Sequence, residues 1–358
     1  MKIIKFNEAF SNRKELKYEA YDIDDNLLYQ KTQIHMEHLI GTNWVPQDVS
    51  TSEFADVRND KENWRVPNGA FSEFRDNGPR GKMAFIEDFT TAIKNGSFGP
   101  SWDAFVKCLE EANLFAIITA RGHEPETIRK GIEWVIDNYL DENQQFLLYS
   151  NCLKHSYIFG DEDIDSYDRI PKGELSQTPL VKKYLDNCYY FGVSSTWFAD
   201  EFGSANADNP EKGKQAALDF FINKCNEYAE KINAKSVSIS FSDDDKRNIA
   251  HVEKFFHEKI TDLMEFDRET HLRLYDTSDR SIPGGSQNKI TINPLDEKIS
   301  TSSDLGSSVL PFTKWNNLTQ QLYPNSKDAP KDDYHNRFKN NINQLGDLNK
   351  KEGGKKKF

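Results

Sequence analysis

Leu16, Tyr18 and Ala20 alternate with Lys17 and Glu19, and the alternation stops at a run of aspartates. A period of two puts successive side chains on opposite faces of a strand, so a strand ending near Asp22 is expected. Central strands of parallel sheets are normally apolar on both faces. The polar positions of this one therefore predict an edge-like or partly uncovered place in the sheet. From Ser101 the period changes: Trp102, Phe105, Val106 and Leu109 recur at helical spacing, with Ser101 as the expected N-cap. "LFAIITARG" is a continuous apolar run of strand length, and "EPETIRKGIEWVIDNYL" is an amphipathic helix opened by Pro125 and acidic residues. Further on come a long helix in "KGKQAALDFFINKCNEYAEKI", a strand in "KSVSISF", a helix after "DDDKRNI" and one more strand in "HLRLYDT".

Strands alternating with helices predict an α/β fold, a three-layer Rossmann-like parallel sheet whose sites lie at the C-terminal ends of its strands. The core is expected over residues 1–33 and 99–280. Within it, residues 141–210 carry "FLLYS" and "YYFGV" among polar turns and read as an insertion of short strands and loops. Residues 34–98, with Trp44, Trp64, "VPNGAF" and "NGPRG", read as a second insertion of short elements joined by turns. Beyond Pro283 the composition turns to Ser, Gly, Asn, Asp and Lys, so residues 281–358 are expected to be an extended or partly disordered tail.

A net charge of −12 over 358 residues argues against a nucleic-acid-binding body, which needs a basic face to neutralise phosphates. The four cysteines are widely spaced and lack C-x-x-C pairs, as expected of reduced thiols in a reducing compartment. There is no secretory h-region and no run of eighteen apolar residues. A cytoplasmic protein without a membrane partner is the expectation, particle-associated in the host cytoplasm if the source is viral. His35 and His38, three apart on an expected helix, have no third ligand in matching register, and His251 and His257 are read the same way.

The chemistry is concentrated in a feature that occurs twice. Asp22 and Asp24 end one strand, and Asp243 and Asp244 end another. Carboxylates gathered in this way repel one another unless a cation sits among them, and a hard divalent ion such as Mg²⁺ is the simplest one.

In these features the chain resembles the haloacid dehalogenase superfamily of phosphohydrolases. "DIDDNLL" matches the family's first motif, with Asn26 where Thr or Val is usual. "FAIITARG" matches the second with Thr119, and "PEKGKQAAL" the third with Lys212, Lys214 being next in line. "VSISFSDDDKRNI" matches the fourth, with Asn248 opening the helix. The resemblance implies that Asp22 is the nucleophile and forms an aspartyl-phosphate, and that Asp24 is general acid and then base. It also implies that Thr119, with the neighbouring Ala120 and Arg121 amides and Asn26, binds the phosphoryl group, while Lys212 neutralises its growing charge. Asp243 would hold Mg²⁺ directly, aided by the Asp22 carboxylate and the Asp24 carbonyl, with Asp244 completing the metal site by orienting the ion's water or the lysine. The same resemblance makes residues 34–98 a cap-like lid that favours a small phosphorylated substrate.

The end of the chain supports a second reading. Trp315, Leu318 and Leu322 share one helical face, as do Tyr334, Phe338, Ile342 and Leu345, so residues 311–348 have the pattern of short docking helices for a protein partner. On this reading the chain is a catalytically weak or inactive structural protein of the same fold, for instance in a viral assembly, and joins its partners through the tail.

Overall fold

The computed structural model describes residues 15–155, 167–282, 284–303 and 306–311. Its centre is an eight-stranded sheet. Five strands are parallel: β1 (Leu16–Tyr21), β5 (Leu114–Thr119), β6 (Tyr189–Gly192), β7 (Ser236–Asp243) and β8 (Glu269–Asp276), in the spatial order β8-β7-β1-β5-β6. Beyond β8 the sheet continues antiparallel through β9 (Ser286–Asn293), β10 (Lys298–Ser303) and β11 (Gly306–Pro311). Helices flank this mostly parallel sheet in a Rossmann-like α/β arrangement. No helix among the described residues is long and apolar enough to cross a membrane.

The first strand is central, between β5 and β7, and not an edge. Its Leu16, Tyr18 and Ala20 are buried on the face covered by α9 (Pro210–Lys231), where Tyr18 meets Phe221 edge-on. On the other face α3 (Trp102–Glu110) and α6 (Pro179–Asp186) cover the β5 side through Phe105, Phe115 and Tyr184. Lys17 and Glu19 point to this second face beside a shallow hollow of about 150 Å³ shared with Ser238, Ser240 and Arg273. Lys17 pairs there with Glu111 at 3.7 Å, and Glu19 accepts from the Tyr21 hydroxyl and from Asn113. The strand is thus polar because one face of the sheet is incompletely covered.

The cap-like region divides. Strands β2 (Ile34–Ile40), β3 (Asn43–Val49) and β4 (Trp64–Arg65) form a separate three-stranded sheet with α1 (Thr51–Val57). This unit has its own small core of Ile34, Met36, Val49, Ala70 and Phe74. By contrast α2 (Met83–Lys94) buries Phe85, Phe89 and Ile93 in the main core, so residues 83–94 belong to the body and not to the cap.

Other expectations are corrected. "FLLYS" lies inside α5 (Glu142–Lys154), whose N-terminus is closed by a reciprocal Asp141–Gln144 capping box. Residues 141–210 are not an appendage either, because they supply α6, which packs on Phe115, and the edge strand β6. His35 and His38 sit on β2 and not on a helix: His35 pairs with Asp48 at 2.7 Å, and His38 stacks on Trp64 at 4.3 Å. The compact domain does not end at Pro283, since β9 to β11 extend the sheet to Pro311. The docking helices expected over residues 311–348 lie, apart from Pro311, outside the described residues.

Candidate active site

The parallel strands deliver Asp22, Thr119 and Asp243 to the same rim of the sheet. At the end of β1 the Asp22 N–H makes a last ladder bond to Ser242 O at 3.1 Å, after which the chain turns sharply. The Leu27 and Leu28 N–H groups both donate to Ile23 O, and Asp25 adopts φ +56°, a left-handed conformation that Asp tolerates better than most residues. Ile23, Leu27 and Leu28 are fully buried and anchor the turn. This leaves Asp22, Asp24 and Asp25 at a cleft of about 480 Å³.

Asn26 is not at the cleft surface. Its Nδ2 donates to Asp22 O, Ser242 O and Ser242 Oγ, and its Oδ1 accepts from the hydroxyls of Ser101 and Thr277. Wholly buried, it stitches the end of β1 to the ends of β7 and β8 and has no group left for a substrate. Ser101 holds the N-cap position of α3 as expected, but its hydroxyl is spent on this contact and makes no capping hydrogen bond.

The end of β7 is organised around Asp243. It accepts the Asp245 N–H at 2.8 Å, Asn248 Nδ2 at 3.1 Å and Lys214 Nζ at 2.7 Å, and Asp245 caps α10 (Lys246–Leu263). Lys214 also reaches Asp22 at 3.0 Å. Burial alone would pull its ammonium down, but the two carboxylates hold it above its usual value. The lysine that reaches the carboxylates is therefore Lys214 and not Lys212, which is exposed at the start of α9. Two residues along a helix is about 200° of rotation, so the two side chains point away from each other. Gly213 lets α9 approach β6 closely, because a Cβ there would lie 2.8 Å from Val193 Cβ.

Thr119 is completely buried, its hydroxyl oxygen accepting the Arg121 N–H at 3.4 Å. It shapes the loop that presents Ala120, Arg121 and Gly122 to the cleft. The Arg121 guanidinium clamps Asp24 through Nε at 2.8 Å and Nη2 at 2.7 Å, and lies over the Phe74 ring at 4.5 Å. It is engaged by Asp24 more than it is available to a ligand. His123 is turned away from the cleft onto Asp76 at 2.8 Å.

Asp22, Asp243 and Asp244 offer oxygens all within 4.8 Å of one another. The Asp24 carboxylate is taken by Arg121 and is not one of these oxygens; the part expected of Asp24 at the ion is that of its backbone carbonyl. Burial, with Asp243 and Asp24 close by, pushes the Asp22 carboxyl up to about 7, against the pull of Lys214. Burial and the charges of Asp243, Asp22 and Asp25 push Asp244 up to about 9. Asp22 Oδ1 is buried without a hydrogen-bond partner. Oxygen donors in excess of local positive charge, one of them unsatisfied, fit a hard divalent cation.

The small unit of residues 34–75 forms the roof of the cleft. It is fastened by Arg58, doubly bonded to Asp245 at 2.9 and 3.0 Å, and by Thr51 and Ser52, whose hydroxyls donate to Asp25. Nothing in the sequence announced Arg58. Lys214 was legible: Ala217, Leu218 and Phe221 lie three, four and seven positions on, along the buried stripe of α9 that Lys212 does not share. Comparison with protein-family models, curated proteins and solved structures finds no match to this chain.

Proposed function

We propose that the chain is a Mg²⁺-dependent phosphohydrolase of the haloacid dehalogenase type, acting on a small phosphorylated molecule. The observation that carries this reading is the convergence of Asp22, Asp243 and Asp244 within 4.8 Å, with Lys214 bonded to the first two. The strand order β8-β7-β1-β5-β6 supports it, because it sets the matched motif segments on neighbouring parallel strands with their ends at one cleft.

Asp22 attacks phosphorus through a carboxylate oxygen; the bond to the leaving oxygen breaks and an aspartyl-phosphate forms. Once freed from its bidentate pair with Arg121, Asp24 at the cleft wall gives a proton to the leaving oxygen and later takes one from the water that hydrolyses the acyl phosphate. Lys214 fixes the nucleophile and offers its charge to the phosphoryl oxygens. Asp243 and Asp244, with Asp22, would hold Mg²⁺, which when bound neutralises charge on these carboxylates and on the phosphoryl group. Asp243 in turn is oriented by Asn248 and the Asp245 N–H.

The test is hydrolysis of p-nitrophenyl phosphate with Mg²⁺ present. Release that Asp22→Asn abolishes supports the reading. Folded wild-type protein that releases no phosphate from a broad panel of phosphometabolites overturns it.

A further inference from the structure

The roof of the cleft has a chemical character that the catalytic rim does not require. Phe54 and Phe71 meet edge to face with ring centroids 5.3 Å apart, and Phe71 meets Phe74 at 6.1 Å and 72°. All three rings line the cleft. They are not equivalent: Phe74 is buried in the small core and its ring carries Arg121, whereas Phe71 is 36% exposed. Trp44 and Trp64 serve other contacts, Trp44 under Arg65 and Trp64 against His38. An aromatic ring left partly wet in a concave site is poised to receive another apolar group.

The rest of the wall is of mixed charge, with Asp25, Asp208 and Glu211 beside Arg75 and Arg247, and the class is narrowed by size instead. The volume of about 480 Å³ suits a small molecule and is too small for a folded protein.

Resting on the phosphohydrolase reading, we propose that the substrate is a monophosphate ester whose alcohol carries one flat ring, an arene or a nucleobase, stacked on Phe71. Phe71 is then the specificity residue of the lid, and Phe54 sets its tilt.

The experiment compares pairs that share a leaving oxygen and differ in the ring: adenosine 5′-monophosphate against ribose 5-phosphate, and benzyl phosphate against cyclohexylmethyl phosphate. The full chain with Mg²⁺ is expected to favour the flat-ring member of each pair in kcat/KM by about tenfold. Phe71→Leu keeps apolar bulk at a partly exposed position, and is expected to bring both ratios near one. Phe54→Leu gives a smaller change in the same direction and serves as the second variant. Equal turnover within each pair, or a preference that survives Phe71→Leu, overturns the stacking proposal and leaves the phosphohydrolase reading standing. No Asp22-dependent release from any of the four esters, with phosphate released elsewhere in the panel, also overturns it; no release from anything sinks both.

Discussion

The two acidic turns carry three aspartates each, and the fold treats them differently. In the first, Asp24 is clamped by Arg121, Asp25 is tied to Thr51 and Ser52 of the roof, and Asp22 keeps a buried oxygen without a hydrogen-bond partner. In the second, Asp243 is saturated by Lys214, Asn248 and a backbone amide, while Asp245 caps α10 and holds Arg58. Asp244 accepts no hydrogen bond among the described residues. One carboxylate from each turn, Asp22 with its free oxygen and Asp244, is thus incompletely partnered, and the two offer oxygens within 4.8 Å of each other and of Asp243. Like sequences become unlike parts because their partners come from elsewhere in the chain.

The comparison is broken most severely at Asp22. Asp22→Asn keeps the shape of the turn but removes the proposed nucleophile, and phosphate release is expected to fall by at least about 10³-fold. Second in size is the contrast between lysines. Lys214→Met should cost roughly 10²–10³ in kcat because a donor at the reacting group is lost. It should also destabilise the fold by about 3 kcal/mol by leaving Asp243 and Asp22 unpaired in a buried site. Lys212→Ala, on the exposed side of the same helix, should change stability by less than about 0.5 kcal/mol. Urea unfolding and steady-state rates on the pair check both.

Asn26→Ala cuts the tie between the turns and leaves the Ser242 carbonyl and the Ser101 and Thr277 hydroxyls without that partner. A loss of about 3 kcal/mol in chemical denaturation is expected. Smallest is a pH effect that separates the second turn from the first. The Asp244 carboxyl sits at about 9 in the folded chain against 3.8 unfolded. The native state therefore holds the extra proton, and without a divalent ion stability should fall as pH rises between these values. In EDTA at pH 8, Asp244→Asn should be more stable than wild type by roughly 2 kcal/mol, measured by thermal or urea unfolding; Asp24→Asn, which breaks a pair with Arg121, should be less stable.

Much of this was legible before any coordinates. Period and order placed the strands that end at Asp22, Thr119 and Asp243, and the acidic repeats marked the rim. What stayed hidden depended on partners distant in sequence. Asn26 finds Ser242 and Thr277 only when β1, β7 and β8 are side by side. The strands β9 and β10 were hidden by their polarity, since one face of the sheet is thinly covered there and Ile290, Ile292 and Ile299 supply their buried apolar side chains. "FLLYS" is too short for its period to separate strand from helix, and the Asp141–Gln144 capping box was the better signal.

The central claim is that two turns from distant parts of the chain share one divalent ion. Isothermal titration of Mg²⁺ into the full-length protein tests it most directly, alongside Asp22→Asn from the first turn and Asp244→Asn from the second. One bound ion per chain, weakened by about tenfold or more in each variant, is the result predicted. Binding that persists undiminished in both, or none in folded wild type at millimolar Mg²⁺, would contradict it.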